Sequence, residues 1–147
     1  MFRPHPNARE VSRRVARLPL DYAVSRLGDH WIVLGPTGLF VVGRAGDHLA
    51  SDADVTVALA HRIRAHLSDV MPWVPFIDAL LVTAEADLSV PCTLVDIATL
   101  EMALLSGPVS IDDVGLEQLR HHLPGVLERI DASADLSIDV AAPLDPA

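Results

Sequence analysis

The chain has no lysine: all 11 of its basic residues are arginine. A guanidinium keeps its proton at physiological pH. Schiff-base chemistry, a lysine general base and the lysine-bearing phosphate loop of nucleotide hydrolases are therefore closed to it. Cysteine is nearly as scarce. Cys92 stands alone, so it has no partner in the chain for a disulfide, and a cysteine-built zinc site lacks ligands. Aromatic residues make up only 4% of the sequence. No apolar run reaches the roughly 18–20 residues that a membrane span needs. The opening MFRPHPNARE has no apolar stretch of the kind a secretory signal carries. No G-x-S-x-G elbow and no G-x-G-x-x-G loop is present. These absences lead to the expectation of a protein of the reducing cytoplasm, with no membrane association and no bound cofactor.

What is present suffices for one core. The 147 residues are 50% apolar and 21% charged, with a mean hydropathy of +0.34. That is the composition of a single folded domain. The net charge of −9 is unevenly spread. Arg3, Arg9, Arg13, Arg14 and Arg17 against Glu10 leave residues 1–17 at +4, so the rest sums to −13. Residues 131–147 carry Asp131, Asp135, Asp139 and Asp145 and no base. An acidic body repels phosphate backbones, so nucleic acid is not the expected partner.

Periodicity gives an order of helix, three strands, helix, two strands and two helices. Val11, Val15 and Leu18 repeat at helical spacing over residues 8–18, and Pro19 stops them. Pro4 and Pro6 make residues 1–7 a poor helix. Leu20, Tyr22 and Val24 alternate with Asp21, Ala23 and Ser25, which predicts a strand over 20–27. The runs HWIVL (30–34) and LFVV (39–42) flank Gly35-Pro36-Thr37-Gly38, a tight hairpin connection. Residues 54–70 read as an amphipathic helix whose apolar face is Leu59, Ala60, Ile63, Leu67 and Val70. Asp52 or Asp54 is expected to cap it and Pro72 to end it. FIDALLVT (76–83) reads as a buried strand reached by a parallel crossover, and 93–95 as a short one. Asp96 is expected to cap a helix reaching about Leu105. Ser110-x-x-Asp113 is expected to box the start of a last helix that Pro124 kinks or splits. From Ala132 the sequence reads as a disordered acidic tail.

Isolated polar residues give little chemistry. His61 and His66 are five apart and do not share a helix face, and His121 and His122 point about 100° apart. Asp112 and Asp113 suit a helix start, where they meet free N–H groups. Cys92 lacks a visible paired base and reads as a small core residue. Trp31 and Phe40 have Asp29 and Arg44 as their nearest charges, so they read as core and not as a base-stacking platform.

One stretch is more specific. Asp29-His30-Trp31-Ile32-Val33-Leu34-Gly35-Pro36-Thr37-Gly38-Leu39-Phe40-Val41-Val42 resembles the signature of the nuclease-related domain (NERD) family. That signature is an Asp, an apolar strand, a Gly-Pro-x-Gly turn and a second strand ending in an acidic-x-Lys triplet. The resemblance covers residues 20–123 in outline. It implies a restriction-endonuclease-like PD-(D/E)XK fold: α/β, with a small central mixed sheet, an N-terminal hairpin meander, a crossover helix and C-terminal helices. In that family two acids on adjacent strands converge on Mg²⁺, and the lysine polarises water or phosphate. Asp29 matches the first acid. The second acid position falls on Gly43 and the lysine position on Ala45; a slip of one would bring Arg44 to the motif. A helix position that sometimes assists falls near Thr56, and the family's N-terminal helix, which often bears a Glu, corresponds to residues 8–18 with Glu10.

The resemblance therefore implies a family member without its catalytic groups. The motif remnant is Asp29, Gly35, Pro36, Gly38, Gly43 and Ala45; no residue is assigned as catalytic, and Asp29 is the one residual metal candidate. The expected role is a protein-interaction or regulatory module with a protein partner. The alternatives are a nuclease with migrated ligands, Asp29 with Asp47 or Glu10, and a nucleic-acid binder led by the N-terminal arginines. The expected organisation is an Arg-rich arm or short helix at 1–19, a single domain at 20–131 and a disordered tail at 132–147.

Overall fold

A computed structural model describes residues 6–84 and 90–144. The elements are α1 (Ala8–Val15), β1 (Ala23–Leu27), β2 (His30–Gly35), β3 (Gly38–Arg44), α2 (Leu49–Val70), β4 (Ile77–Val82), β5 (Thr93–Val95), a 3-10 turn (Ile97–Thr99), α3 (Leu100–Leu105) and α4 (Asp113–Leu144). The five strands form one sheet in the order β1-β2-β3-β4-β5. The first three are an antiparallel meander, and β4 and β5 then run parallel to β3. This is a mixed α/β sheet with flanking helices.

Both faces of the sheet are covered, which is why its central strands are apolar at nearly every position. Ile32, Leu34, Leu39, Val41, Ile77 and Ala79 face α2 and α4. Trp31, Val33, Phe40, Val42, Leu80 and Val82 face the other way, onto Val11 and Val15 of α1 and Leu100 and Leu104 of α3. The apolar stripe read on residues 54–70 is confirmed at Leu59, Ala60, Ile63 and Leu67, which are buried in α2. Among the described residues no helix is long and apolar enough to cross a membrane.

Several boundaries differ from expectation. The short helix expected over 8–18 is present as α1, ending at Val15, and it packs on the sheet. Asn7 caps α1 by accepting from the Glu10 N–H at 2.8 Å, Val11 and Val15 are buried against the sheet, and Ser12 accepts a hydrogen bond from the Trp31 indole at 3.0 Å. The expectation for residues 1–5 lies outside the described residues. β1 starts at Ala23 because the Tyr22 N–H turns back to the Pro19 carbonyl at 3.0 Å. α2 starts at Leu49, and neither Asp52 nor Asp54 is its N-cap. Asp52 instead accepts from the Gly46 N–H at 2.7 Å. The last helix is capped by Asp112, which accepts from the Gly115 N–H at 2.8 Å, and not by Ser110. Ser110 is taken by the hairpin, donating to the Thr37 carbonyl at 3.0 Å. α4 runs through Pro124 to Leu144, past the point where a disordered tail was expected. Its first half is anchored by Leu116, Leu119, Leu123, Val126, Leu127 and Ile130, and residues 145–147 lie outside the described residues.

Candidate functional site

The residues of the motif divide into two groups at opposite ends of the β2–β3 hairpin. At the tip, Gly35 pairs with Gly38 across Pro36 and Thr37. This tip is a structural junction. A Cβ on Gly35 would fall inside the Tyr22 ring, so only glycine lets that ring lie on the strand. The Tyr22 hydroxyl is 2.7 Å from Thr37 Oγ1, which itself donates to the Leu104 carbonyl at 2.6 Å. The Pro36 carbonyl accepts from the N–H groups of Ser110 and Ile111, at 2.9 and 3.2 Å. The turn thus ties together the entry to β1, the end of α3 and the approach to α4. Gly35 is accounted for by this packing and Gly38 by its φ of 149°, a conformation that side chains rarely adopt.

The other end holds the positions where the motif's chemistry would sit. Gly28 and Asp29 form a two-residue turn. Gly28 has φ of 57° and Asp29 is not in the positive-φ region, the pattern of a type II′ hairpin turn. Asp29 is exposed there. Next to it, His30 lies one step beyond the Trp31–Val42 pair, across from Gly43. The His30 Nε2 is 3.1 Å from the Thr56 hydroxyl, and that hydroxyl donates to the Asp52 carbonyl at 2.8 Å. With its proton committed to Asp52, the Thr56 oxygen is an acceptor. His30 therefore carries its proton on Nε2 and donates it to Thr56. Burial of the ring pulls the His30 pKa below its ordinary value of 6.5; Asp29 and Asp52 oppose that shift and Arg26 adds to it.

This bonded group fills the space beside Gly43, where the resemblance would put the second acid. A Cβ built on Gly43 would stand 2.5 Å from Thr56 Oγ1 and 3.1 Å from His30 Cδ2. An acidic side chain has no room there. Ala45, at the lysine position, is 2% exposed and packs with Ala53 and Leu81, where a cationic head would be stranded in apolar surroundings. A slip of one residue does not help. Successive strand side chains point to opposite faces, so Arg44 lies on the side away from Gly43 and His30. Its Nε is buried with no hydrogen-bond partner among the described residues.

A divalent ion does not fit this donor set. Magnesium is held through carboxylates with room for water and phosphate. Here Asp29 is an exposed turn residue, Gly43 stands against filled space, and Asp52 holds the Gly46 N–H. Among the described residues no three His, Cys, Asp or Glu side chains come together as a metal site, and Asp29, Asp47 and Glu10 form no such group. Beside the turn, Asp29, His30, Val55, Leu59 and Arg62 line a shallow groove of about 350 Å³.

The remaining candidates behave simply. His61 is exposed on α2 and His66 is half-buried. His121 and His122 stack edge to face with ring centres 4.9 Å apart. Cys92 is half-buried, and its thiol pKa is pushed up by burial and by Asp54 and Asp78, the reverse of nucleophile activation. Trp31 and Phe40 are core residues at 2% and 7% exposure. The His30–Thr56 contact is what the sequence reading missed. Its signal was present. Thr56 sits on the same stripe as Ala60, Ile63 and Leu67, and a polar residue on a buried stripe needs a partner.

Compared with protein-family models, with curated proteins and with solved structures, the chain matches none.

Proposed function

We propose that the chain is a catalytically degenerate nuclease-related domain of the restriction-endonuclease-like class, working in the cytoplasm as a protein-interaction or regulatory module. The order of elements supports the class: a helix, a three-stranded antiparallel meander, a crossover helix and a parallel strand, with Asp29 just before β2 and Gly43 to Ala45 at the end of β3. The loss of catalysis rests on one observation. The space into which an acid at position 43 would project is taken by His30 hydrogen-bonded to Thr56. A site refilled by packing is not a site awaiting a metal. An active member without its second acid and its cation would forgo several kcal/mol of transition-state stabilisation.

The test is direct. Purified protein is incubated with supercoiled plasmid and with single-stranded DNA in Mg²⁺ and in Mn²⁺. The expected result is intact DNA under every condition. Metal-dependent cutting that disappears in Asp29→Ala overturns the proposal.

A further inference from the structure

We propose that the outer edge of β1 docks an extended acidic segment of a partner protein, which adds to the sheet as a sixth strand. This deepens the reading above and rests on it in one respect, that the partner is a protein.

The sheet has two edges, β1 and β5. β5 is only three residues long, whereas β1 offers five. The Gly28–Asp29 turn closes on the Leu27–His30 pair, so alternation directs the N–H and C=O groups of Val24 and Arg26 away from β2. Exposed edges are commonly guarded by a charged side chain, a proline or a bulge. The one charged residue within β1, Arg26, is instead folded back with its guanidinium 4.2 Å from the centre of the Trp31 ring. Among the described residues, no backbone hydrogen bond from outside the sheet reaches Val24 or Arg26.

Beside that edge runs a groove of about 260 Å³ between α1 and β1, with Val15, Ala16, Val24 and Trp31 among its walls. Val24 is 40% exposed, and Leu20, just ahead of the strand, is fully exposed. An added strand presents every second side chain to this face, so one apolar residue of the newcomer would enter the groove.

Charge decides what the newcomer is. Arg9 and Arg13 precede Ser12 and Ala16 by three residues and so share their side of α1, above the groove. Arg14 and Arg17 are directed to Glu101, at 3.4 and 3.9 Å, but Arg9, Arg13 and Arg26 make no ion pair among the described residues. This is a basic, apolar strip on a chain of net charge −9. A second copy of the chain is disfavoured there, because a two-fold axis normal to the sheet, which would pair the two β1 edges antiparallel, brings two arginine-bearing α1 helices together on one face. Nucleic acid is disfavoured because the aromatic at hand, Trp31, is 2% exposed and roofed by Arg26, leaving no face for a base.

The test uses a probe heptapeptide, acetyl-Glu-Thr-Val-Thr-Asp-Thr-Glu, whose acidic and valine residues share one strand face. It is titrated into the full-length ¹⁵N-labelled protein. Controls are its counterpart with lysine at each acid, its counterpart with proline at each threonine, and an oligo(dT) of matching length. Amide shifts confined to Ser12–Ala16 and Ala23–Leu27, with slowed exchange at Val24 and Arg26, are expected for the acidic peptide alone. Arg13→Glu is expected to weaken it roughly tenfold. Val24→Pro, which removes an outward N–H that the fold does not use, is expected to abolish it. No shift up to about 1 mM peptide, equal binding of the lysine or proline counterpart, shifts on another surface, or binding of the oligonucleotide alone each overturns the proposal. The plasmid assay reports separately. Intact DNA with no peptide binding removes the docking strip and leaves the degenerate-domain reading, while metal-dependent cutting removes that reading whatever the peptide does.

Discussion

The imidazole of His30 and the hydroxyl of Thr56 meet 3.1 Å apart in the space that a side chain at position 43 would need. One residue comes from the start of β2 and the other from the second turn of α2, so the contact clamps the crossover helix to the sheet. It also makes the glycine obligatory.

Gly43→Ala is therefore expected to destabilise the fold by about 1–3 kcal/mol, the usual cost of forcing an atom into a filled interior. Urea unfolding measures it. In a Thr56→Ala background the same change is expected to cost less, because the nearest obstructing atom is gone. Equal losses in both backgrounds would show that Thr56 is not what crowds position 43.

Gly35→Ala is expected to cost about 1–3 kcal/mol as well, since its methyl group enters the Tyr22 ring. The damage is expected at the hairpin tip. Hydrogen exchange is expected to quicken at Ser110 and Ile111, whose N–H groups are held by Pro36. Unchanged protection there would separate the tip from the rest of the fold.

Acid is expected to weaken the protein through His30. Burial holds its folded pKa below 6.5, so the unfolded chain takes up a proton that the folded chain refuses. The stability tied to the neutral ring is whole above pH 6.5 and falls as the pH drops from there through the lower folded value. The slope of stability against pH across that window is expected to flatten in His30→Gln. A slope shared by both proteins would assign the acid sensitivity to other groups.

Removing residues 1–16 is expected to uncover Trp31, Val33, Phe40 and Val42, which α1 helps to bury. Each of Val11 and Val15 contributes about 2 kcal/mol by its burial. Thermal unfolding followed by circular dichroism, with dye binding to apolar surface, is the measurement. A truncated protein that still melts cooperatively at the full-length temperature would show that α1 adds nothing to the stability of the sheet.

The hairpin and the crossover helix were legible because their signals are local. The two β-branched runs flank a turn peptide, and the stripe at Leu59, Ala60, Ile63 and Leu67 keeps helical period. Element ends were less so, because capping residues compete. Asp52 and Ser110 both look like caps in one dimension, but each is claimed by a partner brought up by the fold, Gly46 and Thr37. The apolar face of α1 was legible at Val11 and Val15, but the strands it packs on were not. Its arginines dominate the composition of the segment, while two valines and one serine decide where it packs. At the candidate site, the presence of Gly43 and Ala45 where the resemblance puts an acid and a lysine could be read directly, but what occupies the space beside Gly43 could not. The place of Thr56 on the buried stripe announces that it needs a partner, but His30 lies 26 residues away and nothing local names it.

The mixed character of the sheet has a consequence for synthesis on the ribosome. β1, β2 and β3 close within residues 23–44, by contacts between near neighbours in the chain. β4 cannot join until the 22-residue α2 has been made and folded back across them. A nascent chain that has emerged from the ribosome only as far as Arg44 thus holds a meander with one side shielded only by α1 and the other bare. Such an intermediate would attract chaperones until the crossover arrives.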